Sequence, residues 1–148
     1  MRSITKKYIP NVLTKKDYTK QKKNIRKSRK LYKKGIYIDR PKLKSFPKKE
    51  SPHIVKAKKM YGVDKIVPSK SLAKSSKCSV KGLRRITKKG RGAYYSSGSR
   101  PNQTARSWGM ARLASAVTGG KSSYVDLHLL NKCNHKGKAY KLALKKKK

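Results

Sequence analysis

Between Lys89 and Lys121 the chain carries no lysine, although lysine crowds nearly everything on either side. The stretch KGRGAYYSSGSRPNQTARSWGMARLASAVTGG, Lys89 to Gly120, is rich in glycine, tyrosine and serine and holds the single tryptophan, Trp108. Densely repeated like charges resist close packing, so a folded centre has to form where they are absent. The lysine-free segment therefore limits where a core can lie.

In the turn GRGAYYSSGSRP, Gly90, Gly92 and Gly98 allow positive φ or close backbone approach, and Pro101 fixes the exit. Thr104 is placed to cap the helix ARSWGMARLASAVT, which Gly119 and Gly120 end. Met110, Leu113, Ala114 and Val117 share one face, with Trp108 and Ala111 beside them. Tyr94, Tyr95 and Trp108 are expected to build the core, and an exposed tyrosine offers a face for stacking on a base. Just before this segment, Ser69 caps a predicted helix through Ser76, and Ser79 caps a second from Val80 to Lys89 that stops at Gly90. Leu72, Ala73, Cys78, Val80, Leu83 and Ile86 occupy the buried positions of a helix-turn-helix, with Lys77 where glycine is usual. Two short helices sharing an apolar seam also occur in domains that never touch DNA.

The flanks read differently. Thr14 is a predicted cap and Gly35 a predicted stop for a helix over Lys15 to Lys34. Its apolar stripe is thin: Tyr18, Gln21, Ile25, Leu31 and Tyr32. Such a segment is either a solvated charged helix or an arm ordered by a polyanion. Ile36 to Glu50 reads as an extended connector anchored by Ile36 and Phe46, and Ser51 and Pro52 start a helix that ends at Gly62. KSSYVDLHLLNKC reads as a short strand or an irregular apolar segment, and the basic tail NHKGKAYKLALKKKK as briefly helical or disordered. The expected fold is mainly α: a compact core over 68–130 with a helix-turn-helix-like pair, a Gly/Ser/Tyr turn and a Trp-containing helix. A basic arm, 1–67, precedes it and a basic tail, 131–148, follows.

Lys and Arg total 44 against 5 Asp and Glu, a net charge of +39 in 148 residues. Charge of that size calls for a polyanionic partner, and nucleic acid is the commonest. No stretch approaches the roughly 18 apolar residues of a membrane-spanning helix, and MRSITKKYIPNV lacks the apolar run of a secretory signal. Two cysteines, Cys78 and Cys133, are too few for a disulfide framework, which favours a reducing compartment.

Catalytic and metal-binding patterns are thin. Cys133 and His135 stand two apart with no CxxC or HxxxH spacing, so neither a metal nor a cofactor is expected. Asp17, Asp39, Glu50, Asp64 and Asp126 are scattered, and there is no phosphate-binding GxxxxGK[ST] loop. The chain reads as a binding protein and not an enzyme. Candidate nucleic-acid contacts are Arg26 and Arg29 in the arm, and Lys81, Arg84, Arg85, Lys88 and Lys89 on the second helix of the pair. Arg91, Tyr95, Ser97 and Arg100 of the turn, and Arg106 beyond it, complete the set. Arginine without lysine in this region suggests fork-like bonding to phosphate or carboxylate. Ser96, Ser97 and Ser99 with nearby glycine amides form an anion-binding nest, or else the serines satisfy the turn's own backbone and Arg100 pairs with a helix C-terminus.

RKSRKLYKKG, RPKLKSF and CSVKGLRRITKKGRGAYYSSGSRPNQTARSWGMARLASAVTGGK, with Asp126 after them, resemble an uncharacterised family of small basic proteins of nucleocytoplasmic large DNA viruses. The middle part is also similar to a short domain of tailed phages. There, a helix ending in a KRG-like turn leads to an arginine-proline, a threonine-capped helix and a tryptophan. That pattern falls here on Lys88, Lys89 and Gly90, on Arg100 and Pro101, and on Thr104 and Trp108. The chain departs from the phage pattern at Tyr95 and Ser99, where a tryptophan or other aromatic and a histidine are usual. The resemblance implies a viral origin and no particular activity.

The expectation from residues and resemblance together is a virion-associated protein that binds double-stranded DNA through phosphates and helps condense, package or organise the genome. It would act in the virion, or in host cytoplasm or a virus factory during assembly. The rivals are a minor capsid or scaffold protein whose basic arms bind acidic capsid subunits, a helix-turn-helix regulator, and an RNA-binding or ribosomal-type protein, which charge alone does not separate from a DNA-binding one.

Overall fold

Thr14 Oγ1 accepts a hydrogen bond from the Asp17 amide (3.3 Å), and the helix it opens, α1, spans Lys15–Tyr32. Side-chain caps also start three of the next four helices, and a proline starts the other. Pro52 sits in the first turn of α2, Pro52–Tyr61. Ser69 caps α3, Lys70–Ser76, at the Leu72 amide, and Ser79 caps α4, Val80–Ser96, at the Gly82 amide. Thr104 caps α5, Ala105–Val117, at the Ser107 amide. Three short helices follow: α6, Lys121–Val125, α7, Leu127–Leu130, and α8, Lys138–Lys147. This computed structural model describes residues 3–47 and 51–147, and the protein is mainly α, with no strand among the described residues.

The chain forms two units whose boundaries fall inside α4 and α5. One comprises Met1–Lys49 and Arg91–Trp108, the other Glu50–Gly90 and Gly109–Lys148. This differs from the expected central core between two arms.

In the first unit the supposed arm is folded. Ile9, Leu13, Ile25 and Leu43 are buried with Tyr94, which is the largest side chain removed from solvent. The inward face of α1 is Gln21, Ile25, Ser28 and Arg29. The connector after Gly35 is held by Arg40 and Leu43, while Ile36, its expected anchor, is exposed. Asn102 Oδ1 accepts the Leu43 amide (2.6 Å) and its Nδ2 donates to the carbonyls of Leu43 (3.2 Å) and Phe46 (2.6 Å). Trp108 is half-buried, its ring edge-on to Tyr8 at 5.8 Å, so the packed aromatic of this unit is Tyr94.

In the second unit Leu72, Leu83, Ile86, Leu113, Val117 and Leu130 form the centre of one apolar cluster. Here α4 runs straight through Gly90, the expected stop. A Cβ on Gly90 would come within 2.7 Å of Gly109 Cα and 3.1 Å of Arg112 Cβ, so Gly90 is a close-packing glycine between α4 and α5. The helix ends only where the Ser97 and Gly98 amides both turn back to the Ala93 carbonyl, with Gly98 at φ +130°. The segment expected as a strand or irregular piece is α6 and α7. The expected tail contains α8, whose Ala139 and Ala143, one turn apart, are fully buried in the cluster. Cys78 and Cys133 are joined in a disulfide, which corrects the expectation drawn from their small number.

Candidate nucleic-acid interface

Successive residues of an α-helix are turned by about 100° and rise about 1.5 Å. Lys16, Lys20, Lys23, Lys27 and Lys30 of α1 therefore fall within one band about 80° wide and about 21 Å long. All five are exposed, and the band lies opposite the buried Gln21, Ile25 and Ser28. A groove beside it is lined by Lys20, Lys23, Asn24, Arg26, Lys27 and Pro41. The acids of this unit are Asp17 and Asp39. Asp17 accepts from the Ser45 side chain (2.6 Å) and amide (3.0 Å), and those bonds hold its carboxyl below the ordinary aspartate range.

The Ser97 and Gly98 amides after α4 are both bonded to the Ala93 carbonyl, and the carbonyls of Tyr94 and Ser97 accept from two buried guanidinium groups. Arg29 Nε donates to the Ser97 carbonyl at 2.8 Å, and Arg29 Nη2 to the Ser3 carbonyl at 3.4 Å. Arg40 Nη1 donates to the Tyr94 carbonyl (2.7 Å) and Ser28 Oγ (3.2 Å), and Nη2 donates to Ser99 Oγ (2.8 Å). The Arg40 guanidinium also lies 3.8 Å over the Tyr94 ring. Burial pulls the pKa of Arg40 below its ordinary value, and the Tyr94 hydroxyl opposes that shift. Arg29, expected at a phosphate, is thus a buried clamp, and Ser97 and Ser99 satisfy protein groups. Arg40, which sequence reasoning missed as a site residue, opens the RPKLKSF stretch of the apparent linker.

Of the other expected contacts in this unit, Arg26, Arg91, Arg100 and Arg106 are exposed. Tyr95 is half-buried among Tyr32, Tyr37 and Tyr94, and burial raises its hydroxyl pKa, with Asp39 adding to the effect.

In the second unit Lys81, Arg84, Arg85 and Lys88 are exposed on the outer side of α4, opposite the buried Leu83 and Ile86. Between α3 and α4 the chain turns at Lys77, with φ +63°, the position where a helix-turn-helix usually has glycine. A concave surface is lined by Ser79, Lys81, Gly82, Arg85 and Lys132. Lys89 is exposed too, and its Nζ reaches Asp126 at 3.2 Å and lies 3.5 Å from His128 Nε2. Among the described residues, no group of three or more His, Cys, Asp or Glu side chains is placed to hold a metal ion, and no helix is long and apolar enough to cross a membrane.

Residues 5–133 match the model of a family of unknown function, DUF5824, and the chain belongs to that family. No curated protein and no solved structure matches it.

Proposed function

We propose that this DUF5824 member binds double-stranded DNA along its phosphate backbone and helps to condense, package or organise a genome. The lysine band of α1 carries the reading. Duplex DNA presents one phosphate per about 1.7 Å of axis, so a band about 21 Å long faces on the order of a dozen charges. Lysines are mobile point charges that neutralise phosphate without reading bases, which suits contacts independent of sequence. The net charge of +39 supplies the long-range attraction. The resemblance to proteins of large DNA viruses suggests the setting, a virion interior or the cytoplasmic site where particles assemble.

A second reading, a sequence-specific regulator, is favoured by the α3–α4 turn at Lys77 with Lys81, Arg84, Arg85 and Lys88 on the outer face of α4. Fluorescence anisotropy with labelled random-sequence duplexes separates the two. Phosphate binding predicts micromolar or tighter affinity that falls about 10³-fold between 50 and 200 mM salt if ~6 phosphates are engaged. A regulator needs one sequence preferred on the order of 10³-fold or more over the rest. No binding to any duplex at low salt would overturn both.

A further inference from the structure

Tyr37 is 63% exposed, although two other aromatic rings lie against it. Its centroid is 5.7 Å from that of Tyr32 and 5.1 Å from that of Tyr95, and the Tyr32 and Tyr95 planes are parallel to within 6°. Tyr95 in turn meets the fully buried Tyr94 edge-on at 5.1 Å, and Arg40 lies over Tyr94. The outermost ring of the group is thus braced from behind by rings anchored in the core, while most of its own surface faces solvent. The neighbouring Ile36 is 48% exposed, which adds apolar surface beside the ring.

The charge around the patch limits what can cover it. Lys33 and Lys34 are exposed just before the turn at Gly35, and the exposed Arg91 acts electrostatically on the Tyr95 hydroxyl. Asp39 acts on the same hydroxyl with the opposite sign. Three cations against one carboxylate favour an anionic partner, and the rings favour one with a flat π-face. An unpaired nucleotide has both, whereas the bases of an intact duplex are already stacked on one another.

We infer that Tyr37, braced by Tyr32 and Tyr95, is a stacking platform for an unpaired base of single-stranded DNA, with Arg91, Lys33 and Lys34 taking the adjacent phosphates. The inference rests on the DNA-binding reading above and adds to it a preference for strand ends, gaps and melted segments. Phosphate contacts alone do not confer such a preference.

The test uses the full chain and one labelled mixed-sequence oligonucleotide, presented single-stranded and as its duplex. Tyr37→Ala is expected to weaken single-strand binding by about 5- to 100-fold, as loss of one stacked base does, and to leave duplex affinity and both salt slopes unchanged. Tyr37→Trp, which keeps a π-face, should retain single-strand affinity. Equal single-strand affinity for wild type and Tyr37→Ala, or an equal loss on both DNAs, overturns the platform while leaving the phosphate reading in place. Failure of the wild-type protein to bind either DNA overturns the phosphate reading, and the platform with it.

Discussion

Arg112 holds Asp126 through two parallel hydrogen bonds, Nε to Oδ2 at 2.9 Å and Nη2 to Oδ1 at 2.8 Å, and Asp126 is wholly removed from solvent. Lys89 adds a third contact at 3.2 Å. In a chain so short of acids, this carboxylate ties α4 and α5 to the start of α7. Asp126→Ala leaves the Arg112 charge without its partner, and the expected loss is about 3 kcal/mol, at the low end for breaking a buried pair because Arg112 keeps some solvent contact. Asp126→Asn keeps an acceptor and should lose less. Urea denaturation checks both, and a loss below about 1 kcal/mol for Asp126→Ala would mean that the pair is not structurally important.

Two glycines in α4 should respond to the same substitution with opposite signs. At Gly92 a new Cβ meets nothing nearer than the Tyr32 hydroxyl at 3.8 Å, so Gly92→Ala is expected to stabilise through helix propensity, by about 0.5–1 kcal/mol. At Gly90 the new atom would press on Gly109 Cα at 2.7 Å, a backbone atom that cannot swing away. Gly90→Ala should therefore destabilise by about 1–3 kcal/mol. Thermal melts decide it. Destabilisation by Gly92→Ala would indicate that α4 does not continue past Gly90.

That pair shows why some of the fold was legible in the sequence and some was not. Thr14, Ser69, Ser79 and Thr104 were readable as caps because a cap bonds an amide only a few residues ahead. Gly90 read as a stop because glycine serves both turns and close contacts, and its partner, Gly109, lies far along the chain. Ala139 and Ala143 have helical spacing, but the lysines around them made α8 look like a solvated tail. Arg26, Arg84, Arg85, Lys88, Arg91, Arg100 and Arg106 are exposed. Arg29 is buried, and its spacing four residues after Ile25 placed it on the inward stripe, but a guanidinium there reads as a charge for solvent. The lysine band at 16, 20, 23, 27 and 30 was present as a spacing of three and four opposite Gln21 and Ile25, but it was hidden by lysines on either side.

The disulfide closes a loop spanning 55 residues of separation, between the α3–α4 turn and the segment after α7. Cross-linking a loop of that length limits the unfolded chain by an amount equivalent to about 4 kcal/mol at 25 °C. Cys78→Ser with Cys133→Ser is expected to lower the denaturant midpoint of the second unit, and added reductant should lower the wild-type midpoint to match. Equal midpoints with and without reductant would mean that the cross-link contributes nothing to stability.

The final prediction separates the two kinds of basic residue that α1 presents. Lys20, Lys23 and Lys27 are exposed on the band, and replacing all three by glutamine keeps helix propensity nearly constant while removing three charges. The melt should hold or rise, because self-repulsion falls, and the salt slope of duplex binding should drop by about 2.7. Arg29 is one turn or so away but faces inward, where its Nε satisfies the Ser97 carbonyl. Arg29→Ala strips that buried acceptor of a charged donor and is expected to cost about 1–3 kcal/mol. Its effect on DNA affinity should be no larger than the unfolded fraction explains, with the salt slope intact. Measuring melts and titrations on the same samples distinguishes a lost phosphate contact from a lost clamp. An unchanged slope in the triple variant would move the phosphate-binding surface off α1.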